Sequence, residues 1–261
     1  MGELEGKTVI IAGVGPGLGR ETALAAFREG ANVVLAARTK ATLDAVQAEV
    51  DSSGTRVATV VTDIAKEADC RRLVETAVER FGGVDGIVNC AAMSPMGGLK
   101  AAGDFSEWRA TFDVNVFGSM QLILLALDEL RKRKGSVVIV SSQTQHHPPP
   151  LALQIAYASS KSALTGAMHH LAMEVGPDGI RINEVAPGWM WGPPVEGFVN
   201  YVAQQRGVAG DEVLGELTAR MPLRRMATDG EVAETIVFFL SDRAGGITGQ
   251  TLMVNAGEVM H

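Results

Sequence analysis

Residues 8–28 read TVIIAGVGPGLGRETALAAFR. The first six form a short apolar, β-branched run of strand length, and the last nine repeat apolar positions at helical spacing. Between them stand Gly13, Gly15, Gly17 and Gly19. Glycines at a strand-to-helix junction let the backbone turn tightly and approach a pyrophosphate, whose charge is favoured by the amides and the positive end of the following helix. A dinucleotide fits such a turn. A glycine cluster on its own also describes an ordinary connecting loop, so the surrounding pattern decides its meaning.

That pattern is an alternation. Apolar runs at 8–13, 32–37 (NVVLAA), 56–61 (RVATVV), 85–89 (DGIVN) and 136–141 (SVVIVS) are separated by longer helical patterns, and further strands are expected at 180–185 (IRINEV) and 251–254 (TLMV). Continuous apolar runs are the mark of parallel strands buried on both faces, with right-handed crossovers placing helices on either side. The expected fold is α/β: a single-domain, Rossmann-type doubly wound sheet of about seven parallel strands with helices on both faces, spanning residues 1–261. One stretch, 187–219, breaks the rhythm and holds two of the three Trp and one of the two Tyr. It reads as an inserted substrate lid at about 189–219, or else as a surface excursion whose aromatics cover the sheet.

Composition narrows the function. The chain has 261 residues and a net charge of −7, with Lys and Arg mixed among the acids rather than gathered in a basic stripe. No nucleic-acid partner is expected. Cys70 and Cys90 lack the spacing of a zinc site or a disulfide frame, and no metal is expected. His146 and His147 precede three prolines with no third ligand in register, so they are read as pocket wall or rim. The N-terminus carries acids where an export signal needs a basic region, and the run LILLAL is far short of a bilayer span. The expected setting is the cytoplasm, with no membrane partner.

Four further places carry chemistry. The second strand ends Ala36-Ala37-Arg38, where NAD-preferring folds place an acid for the ribose 2′-hydroxyl. A small residue followed by Arg leaves room and charge for the 2′-phosphate, so NADP(H) is favoured and NAD(H) is the alternative. Asp63, closing the third strand, can accept from an adenine amino group. Tyr157 and Lys161 are spaced i,i+4 at the start of a helical pattern, which sets phenol and ammonium on one face and lets the cation draw the phenol toward a working pKa. Ser142 ends the fifth strand, at the edge where open α/β sheets bind ligands.

Taken together these motifs resemble the short-chain dehydrogenase/reductase family. Gly13, Gly17 and Gly19 match its GxxxGxG turn, Tyr157 and Lys161 its YxxxK pair, Ser142 its strand-end serine, Asn115 its helix asparagine, and Asn183 with Pro187-Gly188 its NxxxPG segment. The resemblance runs from about residue 7 to 256. It implies hydride transfer between a nicotinamide and a ketone or secondary alcohol. Tyr157 is then the acid–base group, Ser142 the donor to the carbonyl oxygen, Lys161 the cation beside both phenol and ribose, and Asn115 the holder of a relay water. It further implies cofactor contacts from Gly13, Gly15, Gly17, Leu18, Gly19, Arg38, Asp63, Ile64, Asn89, Tyr157, Lys161, Pro187 and Gly188.

There are departures. Ala12 stands where the family has Thr, the NNAG segment reads Asn89-Cys90-Ala91-Ala92, and Gly192 replaces a Thr that contacts the carboxamide. The spacing from Ser142 to Tyr157 is about two residues long, leaving Ser141 and Thr144 as competitors for the serine role. Met93, His147, Trp189 and Trp191 are the expected substrate contacts, which suits an apolar or aromatic small molecule. An imine reductase or a non-catalytic dinucleotide-binding redox sensor are the alternative functions. Helical patterns at 112–130 and 155–175, apolar on more than one face, predict a homo-oligomer, a tetramer before a dimer.

Overall fold

In the computed structural model, which describes residues 2–149 and 153–260, the glycine turn joins strand β1 (Thr8–Ala12) to helix α1 (Leu18–Arg28). Two more units follow: β2 (Asn32–Ala37) with α2 (Lys40–Val50), then β3 (Val57–Val61) with α3 (Glu67–Phe81). Next come β4 (Gly86–Asn89), α4 (Ser106–Phe112), α5 (Gly118–Arg133), β5 (Ser136–Val140), α6 (Ile155–Val175) and β6 (Arg181–Pro187). The chain closes through β7 (Met190–Trp191), α7 (Pro193–Arg206), α8 (Gly210–Thr218), β8 (Ala227–Thr228), α9 (Asp229–Leu240) and β9 (Thr251–Val254). Seven strands form one parallel sheet in the order β3-β2-β1-β4-β5-β6-β9. This is the expected doubly wound architecture, with strand limits within two residues of those read from the apolar runs.

Why the runs are continuous is visible in β1. Val9 and Ile11 pack on the α1, α2 and α9 side, while Ile10 and Ala12 pack on the α3, α5 and α6 side, and all four are at most 1% exposed. Period-2 alternation still operates, but both faces are apolar. The turn after β1 is held by close approach. Gly13 has φ 83°, and a Cβ there would lie 2.1 Å from the nitrogen of Ala91. A Cβ at Gly19 would lie 2.5 Å from the oxygen of Gly13, so helix α1 can start directly against the strand only without side chains.

Helices α4 and α5 are joined without a break by a π-helical turn, Asp113–Phe117. The run Ser106–Arg133 is long and apolar enough, by length and composition, to cross a membrane. Here Leu122, Ile123, Ala126 and Leu130 are buried in the α3, α5, α6 core, whereas Phe117 and Leu124 are 62% and 70% exposed. The segment 187–219 supplies β7, α7 and α8. With the residues just beyond it, it builds a small core of its own from Val199, Ala203, Val213, Leu217, Met221 and Met226. β7 pairs with β8, Met190 opposite Ala227 and Trp191 opposite Thr228, a contact that no sequence pattern marks.

Candidate active site

Because the chain runs outward from β1 through β2 to β3 and then crosses to β4 on the other side, a crevice opens at the carboxyl ends of the strands, where such sheets bind ligands. Two cavities lie along it. The first, about 300 Å³, is lined by the glycine turn, by Ala37, Arg38 and Thr39 after β2, by Asp63 and Ile64 after β3, and by Ala91 to Met93 after β4. The second, about 350 Å³, lies beyond Gly17 and Leu18 and reaches Ser142, Tyr157, Gly188, Trp189, Met190 and Phe198.

The first cavity has the features a dinucleotide needs. A Cβ at Gly15 would meet nothing within 4 Å, so the wall there is open to a ligand, and the first turn of α1 has no capping side chain, leaving the helix amides of Leu18 and Gly19 to an anion. Arg38 is exposed at the cavity wall and makes no ion pair among the described residues. Asp63 is held by its own turn, with Oδ1 accepting from Ala65 at 3.2 Å. Asn89 is 7% exposed and acts as a strut: Nδ2 donates to Ser119 Oγ at 2.5 Å and Oδ1 accepts from Ala91 at 3.0 Å. Pro187 is buried at the end of β6, and the amide of Gly188 donates to Val254 at 3.1 Å.

At the edge of the second cavity the structure brings Ser142, Tyr157 and Lys161 together. Ser142 Oγ accepts from the hydroxyl of Thr144 at 3.1 Å, and Ser142 and Tyr157 line the same cavity. Ser141, the competitor, is 2% exposed and donates away from the cavity to Glu184. Lys161 is 3% exposed, its Nζ lies 5.5 Å from the Tyr157 ring centre, and it donates to the oxygen of Val140 at 2.7 Å. Burial pushes the phenol of Tyr157 up, partly offset by the neighbouring hydroxyl of Ser142. Burial pushes Lys161 down to about 8, against the pull of nearby Cys90 and Glu184. Desolvation penalises the charged form of each group.

Asn115 sits on the π turn, fully buried, where helices widen at functional places. Its amide is committed to the fold: Oδ1 accepts from the amide of Met93 at 2.7 Å, and Nδ2 donates to the oxygen of Met93 and to Ser160 Oγ, both at 2.9 Å. It therefore ties the loop after β4 to the helix that carries Tyr157 and Lys161.

The expected substrate contacts divide. Trp189 lines the second cavity, stacked on Phe198 with ring centres 5.3 Å apart. His147 stands at the same cavity, exposed, with Arg220 2.9 Å from its Nε2. Met93 instead lines the first cavity, because its backbone is pinned by Asn115. Trp191 is 39% exposed and lies outside the lining, turned away as β7 pairs with β8. Gln143, Asp229 and Glu258, which stand in no sequence motif, also line this cavity. Gln143 Nε2 donates to Glu258 Oε2 at 2.6 Å. Asp229 Oδ2 lies 2.7 Å from where a Cβ of Gly192 would be, so the space left by the missing side chain is taken by a carboxylate from α9. Burial and the charge of Glu21 push that carboxyl up.

The comparisons with known proteins agree with this geometry. The family described as Enoyl-(Acyl carrier protein) reductase matches residues 13–258. The chain is 32% identical over 253 residues to the short-chain reductase protein NovJ of Streptomyces niveus, covering 97% of this chain and 94% of that one. It is 29% identical to the 3-oxoacyl-[acyl-carrier-protein] reductase FabG of Staphylococcus epidermidis, covering 97% and 99%. Among solved structures, L-sorbose reductase from Gluconobacter frateurii, complexed with NADPH and L-sorbose, superposes with a TM-score of 0.92 at 27% identity, covering 100% and 99% of the two chains. Glycine turn, strand-end serine and YxxxK helix thus stand in one crevice of a fold shared with these reductases, and the chain belongs to the short-chain dehydrogenase/reductase family of nicotinamide-dependent oxidoreductases.

Proposed function

We propose that the protein interconverts an apolar or aromatic ketone and its secondary alcohol, with NADP(H) favoured over NAD(H). The observation that carries this reading is the convergence of Ser142 and Tyr157 on a cavity walled by Trp189 and Phe198. Bound in the crevice, a nicotinamide dinucleotide supplies the hydride for reduction and accepts it in oxidation. Tyr157 protonates the carbonyl oxygen, or takes the alcohol proton in the reverse direction. Ser142 donates to the same oxygen and stabilises the charge that develops there. Lys161, held under the phenol by Val140, supplies the positive charge that makes a tyrosinate tolerable. Asn115 keeps the loop after β4 in place against α6. Arg38 at the first cavity supports the phosphate-bearing cofactor, and the segment 189–219 acts as the lid over a small-molecule substrate. The free cysteines Cys70 and Cys90 suit a reducing, cytoplasmic setting.

A panel of ketones and alcohols assayed with NADPH and NADH tests the reading, with Tyr157→Phe as the control. The substitution keeps the ring and removes the proton donor, so turnover should fall about 10²–10⁴-fold while the cofactor dissociation constant stays near its original value. Turnover above half of the original would remove Tyr157 from its role.

A further inference from the structure

Glu184 lies in the middle of β6 and is fully buried. An ionised carboxylate in such a place must be hydrogen-bonded and balanced by charge. Its donors come from two other elements. Oε1 accepts from the hydroxyl of Ser141 and from Gln145 Nε2 at 2.9 Å, and Oε2 accepts from Thr165 Oγ1 at 2.8 Å. Ser141 precedes Ser142, and Gln145 closes the short helical turn Gln143–Gln145 that Ser142 caps. Thr165 is one turn beyond Lys161 on α6.

We propose that Glu184 is a positioning residue of the active site, clamping the turn that carries Ser142 to the helix that carries Tyr157 and Lys161 and serving as the internal counter-charge of Lys161. It does not line either cavity, so it acts on the reaction only through these neighbours. The flanking strands β5 and β9 carry no titratable side chain. Helix α6 brings Tyr157 and Lys161, with His169, His170 and Glu174 exposed. Helix α9 brings Asp229 at the cavity, while its Glu231 and Glu234 are paired with Arg225 and Arg28. Cys90, the other group acting on Lys161, has its thiol pushed up to about 12 by burial and is neutral near pH 8. Glu184 raises the Lys161 pKa against the pull of burial.

The proposal builds on the roles given above to Tyr157 and Lys161, and Tyr157→Phe in the same assay tests those roles separately. Glu184→Gln keeps the size and the acceptor for Ser141 while removing the charge. Without it Lys161 gives up its proton at lower pH. The alkaline limb of kcat/KM for ketone reduction should therefore move toward acid by about one pH unit, and the pH above which cofactor affinity weakens, read by fluorescence, should move with it. Glu184→Asp should restore part of that shift. An unmoved limb and an unmoved affinity profile in a folded Glu184→Gln protein, with Tyr157→Phe inactive, would overturn the proposal and leave the catalytic roles standing. If Glu184→Gln does not fold, Thr165→Val tests the clamp: a several-fold lower kcat at unchanged cofactor affinity supports it, and an unchanged kcat overturns it.

Discussion

The side-chain nitrogen of Lys161 donates to the main-chain oxygen of Val140 at 2.7 Å, beneath a phenol whose ring centre is 5.5 Å away. The bond fixes the ammonium at the end of β5, one residue before Ser141 and two before Ser142, so a single strand end sets both the cation and the hydroxyl donor. The arrangement costs stability. Lys161 is pushed down from its ordinary 10.5 to about 8 by burial.

The sign of that cost can be measured. Between about pH 8 and pH 10.5 the unfolded chain holds a proton on this lysine that the folded chain has lost, so stability should rise with pH across that window, and below pH 8 the full penalty is present. In Lys161→Met that rise should disappear, because the titrating group is gone, and turnover should collapse. Urea denaturation of the unmodified protein and the variant at pH 7, 9 and 10 checks the sign, and an equal rise in both would refute the account.

Cofactor choice turns on Arg38, exposed at the wall of the first cavity beside Ala37 and Thr39. A guanidinium bond to a 2′-phosphate is charge-assisted, about 1.5–3 kcal/mol, which corresponds to roughly 10–150-fold in affinity. Arg38→Asp should weaken NADPH by that factor and strengthen NADH, because a carboxylate repels the phosphate and accepts from the hydroxyl. Fluorescence titration of both cofactors decides it. Equal constants in the unmodified protein would remove the basis of the preference.

The exposed side of the α4–α5 run predicts assembly. Phe105, Trp108, Phe112 and Phe117 line a surface groove, and Leu124 continues the apolar face along α5. Large apolar patches of this kind mark interaction surfaces, and closed homo-oligomers bury the same patch on each copy. Light scattering should give a mass near four chains of 27.5 kDa, falling in a Phe117→Glu, Leu124→Glu double variant. A single-chain mass for the unmodified protein at micromolar concentration would reject the assembly.

Most of the sheet was legible because buried parallel strands leave long apolar runs, and the glycine turn was legible because Gly13 and Gly19 have no room for a side chain. What was not legible was made by distance. The pairing of Met190 and Trp191 with Ala227 and Thr228 spans two residues a side, too short for any periodicity. Glu184 is one polar letter inside a strand, and its donors come from β5's following turn and from α6. Asp229 enters the site from the start of α9 to fill the space beside Gly192, and only the fold makes those two positions neighbours.

Those pairings also separate the two tryptophans. Trp189 stacks on Phe198 and lines the second cavity, whereas Trp191 is 39% exposed and sits outside it. A bulky ketone buried against Trp189 loses that contact in Trp189→Ala, which should lower kcat/KM for large apolar substrates by about 1–3 kcal/mol, the scale of burying one large apolar side chain. Small ketones, which do not reach the ring, should lose less, so the ratio of efficiencies for large and small substrates falls. Trp191→Ala should leave that ratio where it was and lower the melting temperature slightly, through packing lost around β7 and β8. Measuring the ratio and the melting temperature in both variants assigns each ring its role. A ratio that moves in Trp191→Ala and stays fixed in Trp189→Ala would reverse the assignment, because packing through the β7–β8 pair would then govern the cavity more than direct contact does.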